Sequence, residues 1–536
     1  MKFVSLAFVV ATSVSAQVSA PLLGWMPEET QVRRISGLPA AATLGSVADT
    51  GRSLANITVS PSQNYVLASD VGTGEVLLII PSASTGVSVT ALNTPATPDR
   101  IAVSPLGSSA AVWYSTAGQI EIISGLPAKA RVRQIDASFL TGGVSAITVS
   151  DDGQWIAAAS SGSVYQWGPD GVPRVVYGGS DAAALAFFAS ADNLAIATST
   201  QLLSMAGSAM SVLYQGSFIP AGLATSFDNQ KIVLADRSGT IYSVDAAAQT
   251  ASSLDCQCTP DGVFGMGGAV FRLTNSTASA IKLVDATANE ILSVPRAIRK
   301  ARRSVRPAQS AGTLPTLTIN LNPTPTGYLQ QPAMTITASS TSSSEIDGNV
   351  TLTFVSHSGG TDQTIQFSAG TTVNFTIPAG STQANFSGAP SVSFSTGTVA
   401  GTITLSANVT APTAASAVAT QTVTTEPSTA VITGVKFAPS SGGVTVSVTG
   451  YSSTDEVISA GFLFALSNNA TLTPNDIGVG VSSEFQSYYA TTGSYATGSE
   501  FTLSVPFAIT GNVSDIVGVS VSLINTKGAS TPVRSQ

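Results

Sequence analysis

Residues 145–160 read SAITVSDDGQWIAAAS. Alternating apolar positions, a Ser-Asp-Asp-Gly cluster and a second apolar run describe two short strands joined by a tight turn. The outline recurs as ITVSPSQNYVLAS from 57, IAVSPLGSSAAVW from 101, LAFFASADNLAIA from 185 and LATSFDNQKIVLA from 223, with a degenerate copy, VFGMGGAVFRL, from 263. Successive copies begin 44, 46, 38, 38 and 40 residues apart. A third strand follows each polar loop, as in GEVLLII from 74, GQIEII from 118, GSVYQW from 162, GTIYSVD from 239 and SAIKLVD from 279. A fourth closes the unit, as in RVRQI from 131, PRVVY from 173 and EILSV from 290.

Four short antiparallel strands about every 40 residues form one propeller blade, because a lone four-stranded sheet cannot bury both its faces and radial stacking buries them. Asp151-Asp152-Gly153 falls where other copies carry Pro61-Ser62-Gln63 and Phe227-Asp228-Asn229. The position calls for turn formers, so the aspartates read as a turn rather than a carboxylate pair. Trp155 reads as a buried aromatic between blades.

The copies resemble WD40-like and YVTN-type bacterial propellers, whose blades carry a V-S-P-D-G turn; here the match is Val59-Ser60-Pro61, Val103-Ser104-Pro105 and Val149-Ser150-Asp151-Asp152-Gly153. The resemblance covers residues 21–296 and implies a fold that hosts many functions. LLGWMPEETQVRRISGL, 22–38, reads as a third and fourth strand lacking a first and second. It either completes the ring with the last blade or makes a short further one, giving six to seven blades.

The rest of the chain extends this all-β reading. MKFVSLAFVVATSVSA, 1–16, has a lysine, an apolar stretch and small residues in the order of a secretory signal, with cleavage expected between Ala16 and Gln17. No apolar run is long enough to span a bilayer as a helix. Expected locations are therefore secreted, cell-surface or periplasmic. Residues 297–313 follow the propeller as a basic linker, part of a run from Arg296 to Arg306. From 314 the sequence turns Thr/Ser/Val-rich, with 3 Lys+Arg against 10 Asp+Glu. TLTFVSHS, TTVNFTIPAGS and VAGTITLSANVT alternate with period two, as do VITGVKFAPSSGGVTVSVTG and FTLSVPFAI. They predict two Ig-like β-sandwiches over 314–425 and 428–536. The arrangement resembles secreted propeller-plus-Ig-like proteins of unknown function from soil bacteria, through GWMPEETQVRRISGLPAAATLG, LDCQCTPDGVFGMGGAVFRL, SGGTDQTIQFSAGTTVNFTIPAGST and GVTVSVTGYSSTDEVISAGF. That resemblance implies the layout and assigns no catalytic residue.

A net charge of −8 argues against nucleic acid as a partner. The single histidine, His357, leaves little for acyl-transfer triads or His-ligated zinc, and no phosphate loop or dinucleotide fingerprint is present. No catalytic residue, metal ligand or cofactor is expected. Cys256-Gln-Cys258 is read either as a local disulfide, if a turn brings the pair together, or as a free pair or soft-metal site with Asp255.

The leading expectation is a non-catalytic extracellular binding or cell-surface protein. Its propeller would meet a glycan or protein ligand through loop residues Asp70, Tyr114 and Arg237, and its sandwiches would act as stalk or adhesive modules. One alternative is a propeller lyase or hydrolase acting on an extracellular polysaccharide. Asp70, Asp236 and Asp261 are its available loop carboxylates, and its mark would be a carboxylate or Tyr/Arg cluster in the central channel. The other is a structural envelope component that self-associates through low-charge sandwich edges.

Overall fold

The computed structural model describes residues 16–82, 86–94, 96–140, 142–275, 280–296, 314–411, 415–440, 442–467, 471–472, 474–510 and 512–535. The signal segment and the basic linker thus lie outside the described residues, apart from Ala16 and Arg296. The chain divides into two compact units, one of residues 23–35 and 44–294, the other of 1–22, 36–43 and 295–536.

The first unit contains six four-stranded antiparallel meanders. Their first strands are Leu54–Val59, Arg100–Val103, Ala146–Val149, Ala184–Phe187, Pro220–Thr225 and Phe264–Gly265, and the sheets are called blades 1 to 6 in that order. A three-stranded sheet, Leu22–Glu28, Gln31–Ser36 and Thr43–Ala48, precedes them.

The second strands explain why these sequences stack. In blade 3, Ile156 and Ala158 pack toward Trp113 and Ile122 of blade 2. Ala157 and Ala159 on the opposite face pack toward Phe187 and Ile196 of blade 4. A strand buried on both faces must be apolar throughout, hence the unbroken IAAA, and alanine allows close sheet-to-sheet approach. Equivalent clusters join blade 1 to 2, 4 to 5 and 5 to 6. The three-stranded sheet packs Trp25 and Val32 on Leu54, Val66 and Leu77 of blade 1.

The turn after the first strand of blades 1, 2, 3 and 5 follows one chemical rule. Ser60, Ser104, Ser150 and Ser226 place their Oγ to accept the backbone N–H five residues on. Three residues after each serine the chain turns left-handed, at Gln63 (φ 61°), Gly107 (83°), Gly153 (70°) and Asn229 (59°). Gly and Asn suit that conformation best. Asp152 caps its own turn, accepting from Ser150 Oγ (2.5 Å) and Gln154 N (2.9 Å). Asp151 does more: Oδ1 accepts from Leu106 N of blade 2 at 2.8 Å, and Oδ2 from Ser190 N of blade 4 at 2.7 Å. It therefore clips three consecutive blades together.

Gln63 closes the ring, accepting from Trp25 N at 2.8 Å and donating to Gly265 O at 2.7 Å. A Cβ added to Gly265 would lie 2.9 Å from Pro61, so blades 6 and 1 meet directly. The three-stranded sheet lies against this seam, with Gly24 between Gln63 and Met266.

The second unit holds two further pairs of sheets. One pair sets Leu317–Asn322, Ala333–Ala338 and Val392–Ser393 against a sheet of Thr372–Ile377, Ile346–Ser356, Gly401–Ala411 and Ala415–Thr425. Ile319, Ile336, Val350, Phe375 and Leu405 meet in its core. In the other pair, Gln17–Ser19 forms the edge of a sheet with Glu500–Ala508, Gly443–Tyr451 and Val431–Ser440. The facing sheet is built on Asp476–Gly480, Ser459–Leu466 and Ile516–Asn525. Val446, Phe462, Phe501 and Val521 fill the space between. Ser482–Tyr489 is a helix rather than part of a strand. Its Phe485 and Tyr488, three apart, face the core, which is helical spacing. No helix among the described residues is long and apolar enough to cross a membrane.

Candidate channel-mouth site

The six first strands run side by side around the propeller axis and begin at one end of the channel. That end opens into a cavity of about 570 Å³. Each blade contributes a short stretch from the start of its first strand, such as Asn56–Thr58, Arg100–Ala102 and Gly262–Phe264. The three-stranded sheet contributes none of the lining, so six blades form the channel.

Most of the lining is small or apolar, and its charged groups are Asp99, Arg100 and Asp261. Asn56, Ser145 and Asn275 add neutral polar groups. Arg100 is exposed and tethered by Nε donating to Val144 O at 2.8 Å. Beside it, Asp99 accepts from Ser115 N at 2.6 Å. Asn56 sits left-handed (φ 50°) at a strand irregularity between Ala55 and Thr58, and its Nδ2 donates to Pro98 O at 2.6 Å. Such bulges re-aim side chains and gather next to functional sites.

Across the mouth, blade 6 carries a linked group. Asp261 accepts from Asn275 N at 2.8 Å. Beneath them Arg272 is buried and donates to Thr274 O (2.7 Å) and Asn275 Oδ1 (2.5 Å). Its guanidinium carbon lies 4.3 Å from the Phe264 ring centroid. Burial lowers the Arg272 pKa to about 10, and the Asp261 charge opposes that shift. Arg272 is thus a cation at neutral pH, supporting Asp261, Phe264 and Asn275 from below. Cys256 and Cys258 form a disulfide with Cα atoms 5.1 Å apart, closing a tight loop just before Asp261.

The residues singled out from sequence lie elsewhere. Asp70 is buried at a strand end, accepting from Gly72 N and Thr73 N and pairing with Arg52 at 2.9 Å. These contacts, led by the Gly72 bond, hold its pKa below the ordinary carboxylate value. Tyr114 is buried with its hydroxyl 3.0 Å from Glu121 Oε2, and burial raises its pKa. Arg237 is exposed after the second strand of blade 5. None of the three lines the mouth. Of the carboxylates named for the enzyme alternative, Asp261 lines it, whereas Asp236 is buried and caps Ile219 N and Ser238 N. Asp99, Arg100, Asn56 and Asn275 escaped the sequence reading. The repeat alignment holds one signal for Arg100: a charged residue directly before Ile101, where the following copies have alanine (Ala146, Ala184) or glycine (Gly222, Gly262). His357 is exposed just beyond the strand Ile346–Ser356. Among the described residues, no group of three His, Cys, Asp or Glu side chains is placed to hold a metal ion.

No family model and no curated protein matches the chain. Solved structures similar to it include virginiamycin B lyase from Staphylococcus aureus, at 14% identity and TM-score 0.36, covering 53% of this chain and 90% of that one. A streptogramin B lyase is similar at 13% identity and TM-score 0.37, covering 53% and 89%. Both similar structures are lyases, against the expectation of a non-catalytic binding protein; the likeness itself assigns this chain no activity. At these identities the likeness is one of fold, so the chemistry has to be argued from the channel residues themselves.

Proposed function

We propose that the protein is a propeller enzyme that cleaves an extracellular polysaccharide at the channel mouth, by elimination or hydrolysis. The observation that carries this reading is that Asp99 and Arg100 of blade 2 and Asp261 of blade 6 line one cavity at the end of the channel. Two carboxylates and a guanidinium on an otherwise uncharged rim can move a proton and hold an anionic ring substituent. In elimination from a uronate unit, one carboxylate takes the proton next to the ring carboxylate. The bond from the β-carbon to the glycosidic oxygen then breaks, and the departing oxygen takes a proton from water or the second carboxyl. Arg100 offsets charge on the ring carboxylate. With a neutral glycan, the same carboxyl pair would serve as acid and base for hydrolysis.

The test is incubation of the full-length protein with polygalacturonate, alginate, hyaluronan and xylan, following unsaturated products by ultraviolet absorbance and new reducing ends. Turnover lost in Asp99→Asn, Asp261→Asn and Arg100→Ala supports the reading, whereas turnover retained in all three refutes it. Consistent with an external substrate, we read residues 1–16 as an export signal and the two sheet pairs over 314–425 and 428–536 as Ig-like modules that display the propeller at a surface. Low-charge sandwich edges would also allow self-association.

A further inference from the structure

The mouth leads into a second cavity of 280 Å³ lined by the next residues of the same first strands. Thr58, Ile101, Ile147, Leu185, Val263 and Phe264 border both spaces, so the two are continuous. The chemistry changes sharply between them. No charged residue lines the inner chamber, and Val59, Val103, Phe187, Leu223 and Phe227 form much of its wall. Two of its threonine hydroxyls are already used: Thr225 Oγ1 donates to Phe187 O at 2.9 Å and Thr58 Oγ1 to Ile101 O at 3.3 Å. The remaining polar atoms that line it belong to the backbone and to threonine, while its side chains are mostly apolar and make up the greater share of the wall. An engineered cavity of about 150 Å³ in another protein accepts benzene, so this chamber has room for one substituted ring or a short branched acyl group.

Building on the reading of the mouth as the active site, we propose that the substrate is a glycan unit bearing an apolar aryl or short acyl substituent. The sugar sits among Asp99, Arg100 and Asp261, and the substituent enters the chamber beneath. A bare polysaccharide would leave the Val/Leu/Phe-lined space unfilled. An apolar group attached to an acidic sugar matches both halves of the channel.

The test uses calorimetry on the full-length protein with phenyl β-D-glucuronide, free glucuronate and toluene. The aryl glucuronide should bind about 10- to 100-fold more tightly than glucuronate, the gain expected from burying one ring. Val59→Phe and the milder Val103→Leu partly fill the chamber. Each should reduce that gain while leaving glucuronate affinity unchanged, a control that also reports correct folding. Equal affinity for the aryl glucuronide and free glucuronate, or a gain untouched by both variants, overturns the proposal, as does binding of neither. Polysaccharide turnover without any aryl preference removes the chamber assignment alone. Aryl preference without turnover of any polymer removes the catalytic reading and leaves the chamber as the ligand's apolar subsite.

Discussion

Asp151 and Asp152 are neighbours in one turn, yet their substitution should have unequal effects. Asp152 serves only its own turn, through Ser150 Oγ and Gln154 N. Water can replace both contacts, so Asp152→Ala should cost about 0.5–1 kcal/mol. Asp151 accepts one backbone N–H from each neighbouring blade, Leu106 and Ser190, and its carbonyl also receives Ser109 Oγ at 2.9 Å. A charge-assisted bond of this kind contributes about 1.5–3 kcal/mol. Ser190 is exposed and water can partly replace that partner, whereas Leu106 is half-buried. Asp151→Ala should therefore cost about 2–4 kcal/mol. Each kcal/mol lowers the melting temperature of a domain this size by roughly 2–4 °C. Urea unfolding and differential scanning calorimetry of the two variants give the comparison. Equal losses, or a larger one at Asp152, would refute the inter-blade clip.

Further outcomes follow from other sites. Glu500 is fully buried, with Oε2 accepting Leu38 N at 2.8 Å and Oε1 without a partner, and burial reinforced by Asp362 raises its pKa well above the ordinary value. The native state then holds a proton that the unfolded chain releases. Glu500 should stabilise fully below pH 4.5, and its contribution should fall by about 1.4 kcal/mol per pH unit above that, until its raised pKa is reached. Unfolding midpoints measured upward from pH 5 should slope accordingly in the native protein and more weakly in Glu500→Gln. Asp455, raised to about 6 mainly by burial, adds a similar slope ending near that pH. Cys258→Ser opens a very short loop, so the propeller should lose only about 1–2 kcal/mol by chain entropy, read from urea midpoints with and without reductant. Gly222→Ala places a Cβ about 2.6 Å from Val263 N on the neighbouring blade, and should lower the propeller melting temperature more than Gly178→Ala, where no atom lies within 4 Å.

Blades 1, 2, 3 and 5 were legible because each carries its own signal: a two-sided apolar second strand, a serine that caps, and a left-handed turn three residues on. The mouth was much less so. Asp99 and Arg100 line the same cavity as Asp261, more than 160 residues away in sequence, and only ring closure brings them to it. Asp70 looked available because a loop carboxylate is usually solvated, but Arg52 and two turn amides claim it. Trp155 was read as an aromatic between blades, and it is partly buried against the blade 3–4 cluster. The helix at Ser482–Tyr489 could have been found from Phe485, Tyr488 and Tyr489, whose spacing fits a helix better than a strand. The pairing of Gln17–Ser19 with Thr502–Ser504 joins residues nearly 500 apart, beyond the reach of local pattern.

Catalysis at the channel mouth is tested most directly by comparing the native protein with the Asp99→Asn/Asp261→Asn double variant on the same polysaccharide panel. The account predicts turnover of at least one acidic polymer by the native protein, and none above background by a double variant of unchanged melting temperature. Undiminished cleavage by the folded double variant, or no cleavage of any polymer by the native protein, would contradict it.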